Sequence, residues 1–93
     1  MITVGMSYRV LQGKEAVFEG AFERVVQSMS ADADHAQTFL YRRLTDGEYL
    51  ILSEWRTREA FQRFIRSPEF ASVTDWGKAE ILAARPRHQI FER

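Results

Sequence analysis

The chain has 93 residues and no cysteine, and its thirteen Lys and Arg balance thirteen Asp and Glu, which gives a formal net charge of zero. Zero net charge excludes a nucleic-acid binder that depends on bulk positive charge. The lack of cysteine excludes disulfides, thiolate nucleophiles, zinc fingers and iron–sulfur clusters. A chain of this length buries only about 60–65% of the surface that its unfolded form exposes. Because 13% of the residues are aromatic, we expect a second copy of the chain to supply further burial.

The first third of the sequence predicts a strand, a helix and a loop. From residue 2 the chain alternates, and its apolar face comprises Ile2, Val4, Met6, Tyr8 and Val10. After Gln12-Gly13 the period becomes helical from Lys14. One stripe of this helix is apolar and consists of Phe18, Phe22, Val25 and Met29. The polar stretch 30–37 then predicts a loop.

The middle of the sequence predicts a β-hairpin followed by a helix. Residues 38–44 and 49–56 are rich in β-forming side chains, and the Asp46-Gly47 pair between them favours a tight turn. Thr57 stands at the N-cap position of the next helix. Ser67 and Pro68 restart a helix with a cap and a proline in its first turn, and Gly77 is expected to bend it.

Residues 87–92 alternate again and predict a last strand after Arg85-Pro86. The order strand, helix, strand, strand, helix in two pieces, strand predicts an α+β fold of the ferredoxin-like, split βαβ type. Its four-stranded antiparallel sheet carries the helices on one face. Because the run 49–55 is apolar on both sides for most of its length, we expect the sheet of a partner subunit to cover the other face.

Four short motifs in the second half of the chain bear on function: Ser53-Glu54-Trp55-Arg56-Thr57, Glu59-Ala60-Phe61, Ser67-Pro68-Glu69-Phe70 and Pro86-Arg87-His88. Their order and spacing resemble the antibiotic biosynthesis monooxygenase (ABM) family of dimeric α+β barrels. The resemblance covers residues 1–93 as a single ABM-like domain and implies a homodimer joined through its sheet faces. Proteins similar to this chain include cofactor-free oxygenases of aromatic polyketides, quinol monooxygenases, haem-degrading monooxygenases and proteins of no known activity.

The haem-degrading branch of that family carries an Asn on the first strand, a Trp after the Ala-Phe pair and a proximal His after the helix restart. The corresponding places here hold Met6 or Ser7, Phe64 and Thr74. Without an imidazole at Thr74 the usual axial ligand of haem iron is missing. The resemblance therefore implies a monooxygenase that needs no cofactor and acts on a small phenolic or quinol compound.

Such a reaction needs a base and a donor for the developing oxyanion. Tyr8, on the apolar face of the first strand, and His88, the one histidine in a predicted helix or strand, are the candidate catalytic residues. Each has a structural alternative, because Tyr8 could bond the backbone within the core and His88 could face solvent.

The predicted ligand pocket combines aromatic side chains that carry a polar atom with the positions compared above. Its residues are Met6, Tyr8, Trp55, Phe64, Thr74 and Trp76. As alternatives, Trp55 could be a packing anchor whose N–H bonds within the core, and Trp76 could pack in a helix or dimer interface.

The alternative to an enzyme is a non-catalytic dimeric domain that binds a small hydrophobic ligand in the same pocket. Asp32, Asp34 and His35 share one loop, but a solvated polar loop is the simpler interpretation, so neither a metal nor another cofactor is predicted. No nucleic-acid or membrane partner is expected. No signal peptide or membrane span is evident, so we expect a cytoplasmic protein.

Overall fold

The computed structural model describes residues 1–92 as four strands and three helices. They are β1 (Ile2–Tyr8), α1 (Glu15–Ser30), β2 (His35–Arg42), β3 (Tyr49–Trp55), α2 (Arg58–Ile65), α3 (Pro68–Glu80) and β4 (Arg87–Glu92). The strands form one sheet in the order β2-β3-β1-β4, and every neighbouring pair is antiparallel. The predicted ferredoxin-like α+β fold is confirmed. No helix within residues 1–92 is both long enough and apolar enough to cross a membrane.

The hydrophobic core lies between one face of the sheet and the three helices. Alternation along β1 buries Ile2, Val4 and Met6 on this face, because successive side chains of a strand point to opposite sides. The same alternation in β3 buries Tyr49, Ile51, Ser53 and Trp55. The helices contribute the buried side chains Phe18, Met29, Phe61 and Phe64.

The β2–β3 hairpin differs from its prediction at both ends of β2. This strand begins at His35, within the predicted loop, because His35 pairs with Trp55 and a bulge separates it from Gln37. It ends at Arg42, since the backbone turns back through a Gly47 N–H to Arg43 carbonyl bond of 2.8 Å. Gly47 has a φ of +77°, which lies in the left-handed region that favours glycine.

The two later helices begin where the sequence predicts. The Thr57 hydroxyl accepts the Ala60 N–H at 3.1 Å, and the Ser67 hydroxyl accepts the Phe70 N–H at 3.2 Å. These caps satisfy backbone donors that have no partner inside the helix. Helix α3 continues past Gly77 to Glu80 without interruption.

The sheet surface turned away from the helices carries several apolar side chains and is called the open face below. These are Phe39 and Tyr41 of β2, Leu50 and Leu52 of β3, and Phe91 of β4, while β1 contributes Thr3, Gly5 and Ser7 to the same face. Phe39, Tyr41 and Phe91 are 46%, 50% and 54% exposed. Large aromatic side chains clustered on one exposed face mark an interaction surface.

Candidate functional site

A small cavity lies between the helix side of the sheet and helices α1 and α3, with a volume of about 60 Å³. Its walls are formed by Met6, Tyr8, Phe18, Ala21, Phe22, Val25, Met29, Ile51, Phe70, Val73, Thr74, Trp76, Gly77, Ile81 and Leu82. Most of these side chains are aliphatic or aromatic. Apart from two methionine sulfurs, the polar side-chain atoms of this wall belong to Tyr8, Thr74 and Trp76, so the cavity suits an apolar molecule with few polar groups.

Tyr8 places a hydroxyl in this apolar wall. Its ring centroid lies 5.3 Å from that of Phe18, and its hydroxyl donates to the Met6 Sδ over 3.7 Å. A thioether is a weak acceptor, so this hydroxyl is free to exchange it for a ligand oxygen. Burial raises the pKa of Tyr8 to about 12, because an apolar environment disfavours the phenolate. Near neutral pH Tyr8 is therefore a hydrogen-bond donor and not a base.

Helix α3 brings Thr74 and Trp76 to the opposite wall of the cavity. The Ser67 cap and Pro68 in the first turn fix where this helix starts, and the helix then presents both side chains to the cavity. Trp76 is 37% exposed, so its indole borders the cavity and solvent together. A ligand that enters from this side must pass Trp76.

Two of the predicted pocket residues, Trp55 and Phe64, lie outside this cavity. Trp55 is fully buried, and its Nε1–H donates to the Ser53 Oγ at 3.1 Å. Its ring packs against Phe61 and Phe64, with centroids 6.0 and 5.4 Å away. The geometry is that of a core anchor whose polar atom is satisfied by its own strand.

His88 is also separated from the cavity. It lies on the edge strand β4, paired with Met6 of β1, and its side chain is exposed. Its ring centroid is 6.4 Å from that of Phe61. The cavity wall thus includes Tyr8 but not His88, although Met6, the register partner of His88, belongs to that wall. The role of His88 as the base stays a prediction.

Sequence reasoning missed the contribution of α1 to the cavity. Phe18, Phe22, Val25 and Met29 formed the apolar stripe of the predicted helix and line the cavity in the structure. Their spacing is the same for a core stripe and a cavity wall. The stripe predicts the helix, but periodicity alone does not indicate whether a cavity lies beside it.

The polar groups around the α1–β2 turn bond to neighbouring protein groups. Asp34 pairs with Arg63 at 3.3 Å, while Asp32 accepts the Asp34 N–H at 2.9 Å. The His35 Nε2 lies 2.6 Å from the Thr38 Oγ1. Burial lowers the pKa of His35, opposed by the charge of Asp32 and by a backbone bond with Gln37. These contacts stabilise the turn and account for the proximity of Asp32, Asp34 and His35.

Comparison with family models identifies the family to which this chain belongs. The family model described as antibiotic biosynthesis monooxygenase matches residues 1–76. The chain belongs to the ABM family. Solved structures agree with this ABM fold: a conserved protein of Methanosarcina mazei has a TM-score of 0.88 at 18% identity, covering 99% of this chain and 91% of that one. SnoaB, a cofactor-independent oxygenase of Streptomyces nogalater, has a TM-score of 0.84 at 22% identity, with 99% and 91% covered.

Curated relatives of this ABM chain come from haloarchaea and carry the name "putative heme-binding protein". The relative from Haloquadratum walsbyi is 36% identical over 87 residues, which is 92% of this chain but 16% of the relative. The relative from Halobacterium salinarum is 34% identical over 87 residues, covering 92% of this chain and 18% of the relative. The chain thus spans about a sixth of the length of these relatives.

Proposed function

We propose that this ABM chain binds a small phenolic or quinol compound in the cavity between the sheet and helices α1 and α3, and oxidises it with O₂ without a cofactor. The observation that carries the proposal is Tyr8, a residue of the apolar cavity wall whose hydroxyl has only a thioether as hydrogen-bond partner among the described residues. Membership in the ABM family supports a monooxygenase-like or small-molecule-binding function.

Tyr8 supplies the donor that such a reaction needs. A phenolate or enolate oxygen of the ligand would accept the Tyr8 hydrogen bond in place of the Met6 Sδ. The pKa of about 12 keeps this proton on Tyr8, so the bond stabilises negative charge on the ligand. The ligand's own ring provides the electrons: a ring carbon loses its hydrogen and becomes a carbonyl with one atom of O₂, and the other oxygen atom leaves as water with that hydrogen and the phenolic hydrogen.

The cavity wall contains no carboxylate, imidazole or amine among the side chains that the structure describes. Deprotonation of the ligand therefore depends on its own acidity and on water at the Trp76 mouth. The rate should follow the pKa of the ligand, not that of a protein group. This lack of a base is also the observation that favours the second candidate, a domain that binds the same ligand without turnover.

The size of the cavity sets a condition on binding. About 60 Å³ is less than the roughly 150 Å³ that holds a benzene molecule in a protein core. A phenolic ring therefore fits only if the cavity expands. Because Trp76 already reaches solvent, rotation of its side chain is the displacement that costs the least packing.

The names of the curated relatives raise haem as a ligand, and the residues around this cavity do not fit it. The cavity is far smaller than a haem, and the structure places neither histidine in its wall. The sulfurs of Met6 and Met29 accept bonds from Tyr8 and Thr38, at 3.7 and 3.3 Å. Titration with hemin should give no shifted Soret band; a saturable shift would revive a haem function.

The experiment that tests the proposal measures binding and turnover separately. A panel of quinols and polycyclic phenols is titrated without oxygen, following the quenching of tryptophan fluorescence, and oxygen uptake is then recorded with the compounds that bind. Tyr8→Phe should weaken binding by roughly tenfold, the value of one hydrogen bond to a charged oxygen. Tyr41→Phe, the same chemical change on the open face, is the matched control.

The outcomes separate the two candidate functions. Binding together with oxygen uptake that Tyr8→Phe lowers supports the monooxygenase. Binding that depends on Tyr8, with no oxygen uptake across the panel, supports the non-catalytic domain. If no compound binds, or if both tyrosine variants behave alike, the proposed ligand site is wrong.

We also infer that two copies of the chain associate through the open face. Its aromatic side chains Phe39, Tyr41 and Phe91 are about half exposed, and Leu50 and Leu52 extend the apolar surface from β2 onto β3. A two-fold interface uses the same patch on both subunits. Stacking the two open faces would bury this patch as sheets do in other proteins.

A further inference from the structure

A second cleft lies at one end of the open face, where β1, β4 and the β2–β3 hairpin meet. It has a volume of about 250 Å³ and is lined by Ser7, Arg9, Glu48, Ala84, Arg85 and Arg87. Nothing in the proposed reaction uses these residues. Three of the six are arginines, in a chain whose formal net charge is zero. The positive charge is therefore concentrated locally.

One buried carboxylate lies at the centre of this cleft. Glu48 is only 8% exposed and pairs with Arg43 at 2.8 Å, Arg87 at 3.3 Å and Arg9 at 3.9 Å. Arg43 also has a partner of its own, since Asp46 accepts from it at 2.5 Å. Of the three arginines that line the cleft, Arg9 and Arg87 thus depend on Glu48 alone for an acidic partner among the described residues.

Arg85 adds a third guanidinium and shows no ion pair with any acidic side chain within residues 1–92. Three positive charges against one negative charge leave a local surplus of about two. Like charges held close together repel, and a bound anion relieves that repulsion. The Ser7 hydroxyl on the same wall offers a further donor.

Backbone contacts fix the positions of the segments that carry these arginines. The carbonyl of Arg9 accepts the Ala83 N–H at 2.8 Å, which ties the segment that carries Arg85 to the end of β1. Ser7 and Arg87 are register partners in the β1–β4 pair. Glu48, in turn, fixes one nitrogen of the Arg87 guanidinium. The segments that carry the charges are thus placed before any ligand arrives, which lowers the entropic cost of binding.

We infer that this arginine cleft, formed by Arg9, Arg85 and Arg87, is a binding site for the oxyanion group of a small molecule, a phosphate or a carboxylate. Planar guanidinium groups bind both oxyanions through paired hydrogen bonds. A phosphate dianion or a dicarboxylate carries two negative charges, which match the local surplus of positive charge. Glu48 also lines the cleft, but its two carboxylate oxygens are paired with Arg43 and Arg87, so its part is to position the arginines.

Calorimetric titration of the whole chain at constant ionic strength tests the inference, with inorganic phosphate in one series and succinate in another. Arg85→Gln removes a guanidinium without breaking an ion pair of the described residues and should weaken binding about tenfold. Arg24→Gln is the matched control, because Arg24 is an exposed arginine of α1, on the other side of the sheet. Thermal unfolding of each variant verifies folding.

Saturable binding of phosphate or succinate that Arg85→Gln weakens and Arg24→Gln leaves unchanged supports the site, and the series that binds identifies the oxyanion. The inference is wrong if neither anion binds saturably, or if both variants weaken binding equally, which would indicate bulk charge. It is also wrong if Arg85→Gln leaves anion binding intact and instead lowers the molecular mass in sedimentation, because the arginines would then pair with a second copy.

Discussion

Replacing Ser53 with alanine removes the acceptor of a fully buried indole N–H. Ser53 and Trp55 are both 0% exposed, and the bond between them is 3.1 Å long. In Ser53→Ala no water reaches the Trp55 Nε1, so the variant loses the bond and retains the desolvation cost of the donor. We expect the free energy of unfolding to fall by about 2 kcal/mol and the Tm to fall by on the order of 10 °C.

Urea unfolding followed by circular dichroism measures this effect, because it does not depend on the tryptophan being tested. Trp55→Phe and the double variant complete a double-mutant cycle. The double variant should cost less than the sum of the single variants by about 1 kcal/mol, since it removes the stranded donor together with its acceptor. Ser72→Ala, which removes the same hydroxyl from an exposed position of α3, should change stability by less than about 0.5 kcal/mol.

A different result would overturn the assignment of Trp55 to the core. If Ser53→Ala unfolds at the same urea concentration as the parent while binding of phenolic compounds weakens, the indole N–H serves a ligand. Trp55 would then belong to the functional site, as its position in the sequence predicts. If stability and binding are both unchanged, the argument from the buried hydrogen bond is refuted.

Three further predictions concern pH, charge and association. Burial raises the pKa of Tyr8, and burial with the nearby Glu19 carboxylate raises that of Tyr49, both to about 12 from 10.0; the contribution of these two tyrosines to the free energy of unfolding should therefore be constant below pH 10 and fall between pH 10 and 12. Urea titrations should show a shallower fall in Tyr8→Phe, and an equal fall would contradict the assignment. Glu48→Gln should lower stability by about 1–2 kcal/mol at low salt, and by less in 1 M NaCl because salt screens the arginines that remain; a loss independent of salt would argue for lost packing. Phe91→Glu should convert a dimer to a monomer in sedimentation while circular dichroism stays unchanged, and a variant that keeps the dimer would place the interface elsewhere.

The order of the elements could be predicted from the sequence because each one carries its own local signal. The Thr57 and Ser67 caps fix the starts of α2 and α3, and alternation marks β1. The start of β2 could not be predicted, because His35 joins the strand through pairing with Trp55, a contact between distant parts of the chain. Polar residues near the end of an edge strand read locally as loop.

The candidate site could be predicted only in part, for a related reason. Met6, Tyr8, Thr74 and Trp76 line the cavity, yet the sequence does not distinguish a side chain that meets empty space from one that meets another side chain. Trp55 shows the difference, since Ser53, two residues away on the same strand face, satisfies its indole. His88 shows another limit, because a residue on an edge strand is exposed or covered according to what packs beside it.

The position of β1 in the sheet has a consequence for how the protein is made. Because β1 lies between β3 and β4, the first strand of this domain to leave the ribosome has one hydrogen-bonding edge that stays unpaired until residues 87–92 have been synthesised. Between these two events the nascent domain carries an apolar strand with a free edge, which favours pairing with other chains. Chaperone contact with the nascent chain is expected to concentrate on residues 2–8 and to end when β4 emerges.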